Sequence, residues 1–313
     1  MTLFAKLVAK TDLSAEISSF RFAPLSGRFS GLEPGAHIDV PLGPDLVRQY
    51  SLCDWDGGGD WLEVAVKREA AGRGGSLAMH ALEIGDMVPL GKPRNHFALQ
   101  DRVAHATLIA GGIGATPILA MARELAKRGA DLRVVYLVRS RADAALHDRF
   151  AALNLGDRYR LHCDDAEGLC DIPALMRAVP PGGDVYCCGP EPMLNAVLAA
   201  EGKLRGGKVR FERFAATSDA NAAPKAGFEI ELASCGTVLP VGADQSILGV
   251  LRDHGLPIEF GCAEGLCGAC MTDVIEGEID HRDGVLTPEE QAGNAFMCIC
   301  VSRAKSARLV LDL

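Results

Sequence analysis

The chain has 313 residues, 48% hydrophobic and 23% charged, with a net charge of −9. That mixture excludes wholesale disorder, its 35 glycines without a three-residue period exclude a collagen, and the negative balance argues against nucleic acid as a partner. No apolar run reaches the ~20 residues that span a bilayer. The N-terminus, MTLFAKLVAKTDLSAE, has no basic-then-apolar leader, which predicts a cytoplasmic protein. The charge is unevenly placed: Gly227–Leu313 holds 14 acidic and 5 basic residues, whereas the first 226 residues hold 27 of each. An acidic module on a neutral body predicts a basic protein partner, against the plainer reading of carboxylates that keep a surface soluble.

Residues 1–102 read as short strands between turns. Ala36–Val40 and Trp61–Val66 are apolar or alternating, and Pro34-Gly35, Gly43-Pro44 and Gly57-Gly58-Gly59 punctuate them, a pattern that predicts a small antiparallel barrel. From residue 103 to 218 strands alternate with helices. Ala106–Ala110 precedes a helix with Ile118, Met121, Ala122 and Leu125 on one face. Strand Arg133–Val138, a helical stretch around Ala144–Leu153, strand Tyr159–Cys163 and a helix around Ile172–Val179 follow. Strand Asp184–Cys188, a helix through Met193–Leu204 and strand Val209–Phe214 complete a set of βαβ units, hence a parallel sheet. Ala215–Ala226 (AATSDANAAPKA) is small, polar and aperiodic, and residues 219–226 are taken as the linker to a last module, 227–313. There Phe228–Ala233 and Thr237–Val241 form a hairpin, and Ser246–His254 a helix buried through Ile247, Val250 and Leu251.

Eleven cysteines, an odd number without a secretion signal, argue against a disulfide framework, and five of them fall between Cys262 and Cys300. Cys262, Cys267 and Cys270 have the C-x₄-C-x₂-C spacing of a plant-type [2Fe–2S] site, which needs a distant fourth thiolate. Gly261, Gly265 and Gly268 let the backbone curl close to such a cluster. Cys298 and Cys300, which follow Cys270 after 27 and 29 residues, are both candidates for the fourth ligand, and an extended strand would turn both to one side. Zinc is the main competitor, but its paired C-x₂₋₄-C knuckles do not match a triple with one remote partner. Plain burial of five thiols is the third reading.

The segment from Cys262, with Gly277-Glu278, Asp280-His281-Arg282-Asp283, Cys300-Val301-Ser302-Arg303-Ala304-Lys305-Ser306 and Leu309–Leu313, resembles the C-terminal ferredoxin module of the phthalate dioxygenase reductase and vanillate O-demethylase reductase family. The resemblance implies that the metal ligands are Cys262, Cys267, Cys270 and Cys300, because the family's fourth ligand precedes the Ser-Arg-Ala-Lys run by two residues. It implies three modules in the order antiparallel flavin-binding β-barrel, Rossmann-like parallel α/β nucleotide domain and C-terminal β-grasp plant-type ferredoxin domain.

Two earlier segments are similar to the flavin and NAD(P) domains of the wider ferredoxin-reductase family. An arginine with a Gly-Gly-Ser turn can cradle a phosphate through guanidinium, hydroxyl and free amides. Arg48-Gln49-Tyr50-Ser51 and Gly74-Gly75-Ser76 resemble its R-x-Y-S and G-G-S motifs, which implies that Arg48, Gly74, Gly75 and Ser76 hold the phosphate of FMN. It implies too that Tyr50 and Ser51 border the flavin ring, with Gln49 beside them, and that Ala65, Val66 and Lys67 line it. Gly111-Gly112-Ile113-Gly114-Ala115-Thr116-Pro117, between a strand and a helix, is not the G-x-G-x-x-G fingerprint, but it places glycines and a helix start where a pyrophosphate could approach. With Cys188-Gly189-Pro190 it resembles the G-G-x-G-x-T-P and C-G-P motifs of the family's NAD(P) domain. The resemblance therefore makes Gly111, Gly112, Gly114, Gly189 and Pro190 nucleotide-binding residues. It makes Thr116, between flavin and nicotinamide, Cys188, near the nicotinamide, and Phe214, of an E-x-F motif beside the flavin, the candidate catalytic residues. Arg139, Ser140 and Arg141 could grip a ribose phosphate and favour NADPH, whereas the resemblance implies NADH.

The eight histidines form no H-x-H or H-E-x-x-H pattern, no two pair with two cysteines as a Rieske centre requires, and no G-x-S-x-G elbow suggests a hydrolase. The expected protein is an NADH-dependent flavin and iron–sulfur oxidoreductase, in which the cofactors carry the chemistry and the chain positions them. It would pass electrons from NADH through FMN and a [2Fe–2S] cluster to a separate Rieske-type oxygenase with a basic docking surface, acting on an aromatic acid or aryl ether. A cytochrome P450 or quaternary-amine oxygenase as acceptor, and a non-enzymatic iron–sulfur or zinc redox sensor, are the alternatives.

Overall fold

A computed structural model describes residues 3–43, 46–103, 105–214 and 226–313. The expected linker lies outside the described residues except for Ala226. The chain divides into two compact units, Met1–Glu212 and Arg213–Leu313.

The first unit begins with strands β1 (Leu3–Asp12), β2 (Ile17–Pro24), β3 (His37–Gly43), β4 (Leu46–Trp55), β5 (Leu62–Lys67) and β6 (Met87–Leu90), with helix α1 (Gly75–Ala81) before β6. They form an antiparallel sheet in the order β3-β4-β5-β2-β1-β6. Its two edges meet: Gly91 N–H donates to Asp39 O at 2.9 Å and His37 bridges Arg94, so the sheet nearly closes into a barrel. Period-two burial explains the closure, since Ala5 and Leu7 of β1 point to a core with Phe20, Phe22, Ile38 and Val64 while Phe4 and Lys6 face outward.

The second part of this unit runs β7 (His105–Gly111), α2 (Ala115–Lys127), β8 (Asp131–Val138), α3 (His147–Ala151), β9 (Tyr159–Cys163), α4 (Asp164–Glu167), α5 (Ile172–Arg177), β10 (Asp184–Cys188), α6 (Glu191–Ala199) and β11 (Val209–Glu212). Its strands are all parallel, in the order β11-β10-β7-β8-β9. Separate apolar clusters cover the two faces, which is why β8 is continuously buried from Val134 to Val138 rather than alternating. Ile118, Leu119, Met121 and Leu125 anchor α2, each buried side chain contributing about 1.5–3 kcal/mol.

Three elements are shorter than their sequence periodicity predicts. The stretch 144–153 keeps only α3, because Ser140 and Asp143 cap a separate 3₁₀ turn just before it. The helix after β10 ends at Ala199 and continues as a 3₁₀ turn, Glu201–Lys203, around Gly202. The last strand stops at Glu212. Arg213 and Phe214 belong to the second unit, where the Arg213 side chain lies beside Gly284.

The second unit contains β12 (Phe228–Leu232), β13 (Thr237–Val241), α7 (Ile247–Asp253), β14 (Met271–Glu276), β15 (Ile279–Asp280), α8 (Pro288–Gly293), β16 (Phe296–Cys298), β17 (Arg303–Ala304) and β18 (Arg308–Leu311). The main sheet runs β13-β12-β18-β14-β16 with β12 and β18 parallel, and α7 packs over it through Ile247, Leu248, Val250 and Leu251: a β-grasp arrangement. Ser246 caps α7 by accepting from Gly249 N–H at 3.1 Å.

Candidate functional site

In the parallel sheet the chain leaves β7 toward β8 and β9 and later returns on the other side as β10 and β11. That change of direction opens a crevice at the carboxyl ends of β7 and β10, the usual ligand position in such sheets. Both glycine turns lie there, and they are packed backbone to backbone. A Cβ on Gly114 would stand 2.3 Å from Cys188 O, and one on Gly189 would stand 2.8 Å from Gly111 Cα. Gly111 is equally closed in by Pro190 and Met193, whereas a Cβ on Gly112, at φ 52°, would meet nothing within 4 Å. The turn is thus tight below and open above, as an approaching pyrophosphate requires. Thr116 is 1% exposed in the first turn of α2 and donates to Ile113 O at 3.1 Å. Cys188 is fully buried, and burial first, then Glu212, pushes its thiol up, so it stays protonated.

The barrel presents its own candidates nearby in the chain fold. Arg48 donates to Val47 O and Arg73 O, and its aliphatic stem lies over Gly75, where a Cβ would stand 2.4 Å from Arg48 Cγ. Gly74 precedes α1 in the left-handed region, φ 83°, and Ser76 Oγ accepts from Glu69 N–H at 2.9 Å. The Gly-Gly-Ser segment therefore starts a short helix rather than forming a free turn. Gln49 donates to Asp39 Oδ1 at 2.6 Å. Tyr50 has a buried hydroxyl with no hydrogen-bond partner among the described residues, and burial pushes its pKa up. Such an orphaned donor beside Arg48 fits a bound polar ligand. Ala65 and Val66 are buried in β5, and Lys67 closes the row by pairing with Glu69 at 2.8 Å and Glu16 at 3.7 Å.

Ser51 joins the two halves: its Oγ donates to Glu212 Oε2 at 3.3 Å. Glu212, at the end of β11 beside Cys188 of β10, has a side chain 15% exposed, and burial lifts its carboxyl to about 8 while the Ser51 hydrogen bond opposes the shift. His37, opposite Ser51 in the β3–β4 ladder, is lowered to about 4 by burial first and then by Arg94 and His96. Neither Glu212 nor His37 was singled out from sequence. The signal for Glu212 was present as the acidic residue of Phe211-Glu212-Arg213-Phe214. Phe214 itself is not among this set: it lies in the second unit with its side chain 40% exposed.

In the second unit all the cysteines of the cluster are buried and lie together. Cys262 Sγ accepts from Glu264 N–H at 3.2 Å and Leu266 N–H at 3.4 Å, and Cys267 Sγ accepts from Cys262 N–H at 3.3 Å. The Cys262 thiol interacts with that of Cys267, and the Cys270 thiol with those of Cys298 and Cys300. The first contact holds Cys262 below the ordinary thiol value, and the second set, with Cys298 first, does the same for Cys270. The thiols form two adjoining groups, Cys262 with Cys267 and Cys270 with Cys298 and Cys300, a donor set that fits the two irons of a [2Fe–2S] core.

The extended-strand picture of the two late cysteines needs correction. β16 ends at Cys298, and Cys300 lies in the following turn. Both still reach Cys270, but Cys300 also lies near Cys262 of the loop. The segments 280–284 and 301–304 around them build the cradle. β15 pairs with β17, Arg282 N–H and Ser302 Oγ meet at 3.1 Å, Ser302 donates to Asp283 at 3.2 Å, and Gly284 N–H donates to Gly265 O at 3.0 Å. A Cβ on Gly265, at φ 70°, would stand 2.5 Å from Val301 Cγ2 and 3.0 Å from Asp283 Cα. Buried thiols, inward amides and this close approach fit an iron–sulfur core.

Comparison with known proteins agrees with this donor set. Residues 230–305 match the family described as 2Fe-2S iron-sulfur cluster binding domain. The chain is 40% identical over 293 residues to phenoxybenzoate dioxygenase subunit beta of Ectopseudomonas oleovorans, covering 93% of this chain and 91% of that protein. It is 39% identical over 307 residues to vanillate O-demethylase oxidoreductase of a Pseudomonas species, covering 96% of each. Among solved structures it matches phthalate dioxygenase reductase, described as a modular structure for electron transfer from pyridine nucleotides to [2Fe-2S], at 36% identity and TM-score 0.73, over 100% of this chain and 98% of that one. An intact type IV self-sufficient cytochrome P450 monooxygenase matches at 35% identity and TM-score 0.89, over 100% of this chain but 41% of that one.

Proposed function

Because the chain belongs to the family of phthalate dioxygenase reductase and vanillate O-demethylase reductase, we propose that it is the reductase component of a Rieske-type aromatic-ring dioxygenase or O-demethylase. It is an oxidoreductase that takes electrons from NADH through a flavin to a [2Fe–2S] cluster; the flavin is FMN in this reading, and the oxygenase is a separate chain. The observation that carries the reading is the gathering of buried thiols in one unit of a chain whose other unit holds a tight glycine crevice against a barrel.

A flavin held there would supply the conversion of a two-electron donor into single-electron steps, which a one-electron cluster needs. The chain's own residues position and insulate. Arg48 and the amides of Gly74, Gly75 and Ser76 hold the phosphate, Tyr50 and Ser51 border the ring with Gln49 beside them, and Ala65, Val66 and Lys67 line it. Gly111, Gly112, Gly114, Gly189 and Pro190 shape the dinucleotide crevice, Thr116 orders the turn that faces the ring, and the neutral Cys188 thiol fills the space beside the nicotinamide. Glu212 carries a proton at neutral pH, so no negative charge stands where the hydride moves. Cys262, Cys267, Cys270 and Cys300 ligate the cluster, with the amides of Cys262, Glu264 and Leu266 on the loop sulfurs supporting the assignment.

For the partner, exposed Asp253, Glu259, Asp273, Glu276 and Glu278 give the second unit its acidic surface, and exposed Met271 follows a ligand directly. Acid residues around an apolar contact suit a basic docking face on the oxygenase. The likeness to part of a self-sufficient cytochrome P450 monooxygenase keeps a P450 acceptor as the second reading. Anaerobic titration with NADH followed by extraction of cofactors tests the whole chain of assignments: FMN in the extract and stepwise bleaching of flavin and cluster bands are expected, and a colourless protein or one unaffected by NADH would refute it.

A further inference from the structure

Two ion pairs bind the barrel to the parallel sheet, and the mechanism above gives them no part. Asp54 of β4 pairs with Arg123 of α2, and Glu63 of β5 pairs with Arg149 of α3. In both, the barrel supplies the carboxylate and a helix of the sheet the guanidinium. Glu63 is also gripped from within the barrel, where Arg21 Nε and Nη2 donate to its Oε2 at 3.2 and 3.0 Å. Its side chain is 4% exposed, so it is a buried carboxylate that two guanidiniums enclose.

Beside these pairs lies a small apolar seam. Ile17, Cys53 and Ala65 of the barrel pack with Leu13, Ile113 and Ala145. Ile113 belongs to the glycine-rich turn, Gly112–Gly114, and Ala65 lies two residues beyond Glu63 in β5, on the same face of the strand. Cys53 is fully buried in the seam, 3.4 Å from Glu63 O and 3.9 Å from Arg149 Nη1. The strand assigned to line the flavin and the turn assigned to hold the dinucleotide are therefore in direct contact, with charged pairs as neighbours.

Apolar surfaces this small do not fix a register, because they slide at little cost. The buried Glu63 carboxylate is the reverse: desolvation leaves its pair little net stability, yet a misfit leaves an uncompensated buried charge, and the part-exposed Asp54–Arg123 pair adds a second fixed point. Pairs on two different helices fix a rotation as well as a distance. Hydride transfer requires the reacting atoms about 3–3.5 Å apart and aligned, and a shift of about 1 Å can cost on the order of a hundredfold in rate.

We propose that Arg149–Glu63 and Arg123–Asp54 are positioning contacts that hold the glycine-rich turn in register with β5 and so set the geometry for hydride transfer to the flavin. The proposal rests on the flavin and nicotinamide assignments above.

The test uses the full, cofactor-loaded chain. Arg149→Lys keeps the charge and loses the planar fork; Arg123→Ala opens the second pair; Asp54→Arg combined with Arg123→Asp exchanges its two charges. Flavin reduction by NADH in an anaerobic stopped-flow mixer should slow by about tenfold or more in each single variant. Flavin content and electron delivery from chemically reduced protein should be unchanged. The isotope effect with 4-deuterated NADH should rise, and Cys53 should become open to iodoacetamide, read peptide by peptide in a mass spectrometer. The charge exchange should restore both rate and protection.

Wild-type rates and isotope effects in both single variants would overturn the proposal. So would a loss that follows flavin content or unfolding temperature with an unaltered isotope effect, or an exchange that restores neither property. A wild-type protein that NADH does not reduce would refute the functional reading itself, and this proposal with it, before any variant is compared.

Discussion

His37 Nδ1 stands 4.0 Å from Glu212 Oε1, and burial drives the two groups in opposite directions, the imidazole down to about 4 and the carboxyl up to about 8. Each is neutral at pH 7, so the seam between barrel and sheet carries an acid and a base that are both discharged. This state has a cost that depends on pH, and its sign follows from linkage.

From about pH 4.5 to 8 the folded chain holds a proton on Glu212 that the unfolded chain releases, so this contribution to stability is present below the unfolded value and lost as pH rises toward 8. His37 acts oppositely: between about pH 4 and 6.5 the unfolded chain takes up a proton that the folded chain refuses, so stability falls as pH drops. The two slopes oppose each other below pH 6.5, and only Glu212 acts from 6.5 to 8. Thermal unfolding of the first unit should therefore drop across pH 6.5–8, by roughly 1.4 kcal/mol per pH unit at most. Glu212→Gln should flatten that slope. An equal slope in both proteins would show that Glu212 is ionised in the fold.

Gly114→Ala tests the crevice. The added methyl would stand 2.3 Å from Cys188 O and 2.6 Å from Gly189 N, both backbone, so the two turns must part. NADH should bind more weakly, with a KM raised by about tenfold or more, while flavin content is retained. Gly112→Ala tests the open side: its methyl would meet no protein atom within 4 Å and would point where the pyrophosphate is expected, so it should also raise KM, without parting the two turns. Equal KM values for Gly114→Ala and wild type would remove the crevice from nucleotide binding.

The acidic surface of the second unit predicts a rate that salt lowers. If the exposed carboxylates steer docking, reduction of the oxygenase should slow several-fold between low ionic strength and about 0.5 M salt, whereas NADH-driven reduction of a small neutral dye should not. Glu259→Gln and Asp273→Asn should each flatten the dependence. A rate indifferent to salt would leave the carboxylates as solubility groups.

What the sequence made legible was whatever is local. The spacing from Cys262 to Cys270 shows the metal loop because three ligands share nine residues, and the strand–glycine–helix order around Gly111 shows the crevice because one turn makes it. Glu212 was not legible as a buried acid, since its environment comes from pairing with β10 and from Ser51, 161 residues away in the chain. The same holds for Glu63 and Arg149, ordinary surface residues by type that meet only when barrel and sheet pack. Helix ends were misjudged where side chains intervened, as at Ser140 and Asp143, because periodicity reports a buried face and not a cap.

The choice between Cys298 and Cys300 turns on what surrounds each sulfur. Cys298 closes β16 opposite Met271 and is fully buried among Ile247, Met297 and Leu309, where the sheet fixes its direction. Cys300 stands in the turn beyond, near Cys262 of the loop as well as Cys270. A ligand must see both the loop cysteines and Cys270, and Cys300 meets that requirement while Cys298 lies near Cys270 and Cys300 only among the thiols. Cys300→Ser should therefore lose iron and the visible cluster bands but keep NADH-to-dye activity through the flavin. Cys298→Ser should keep iron, with a stability loss of roughly 1–3 kcal/mol from a hydroxyl set among apolar side chains. Iron analysis and absorption spectra of the two proteins decide the matter, and an exchange of the two phenotypes would make Cys298 the ligand.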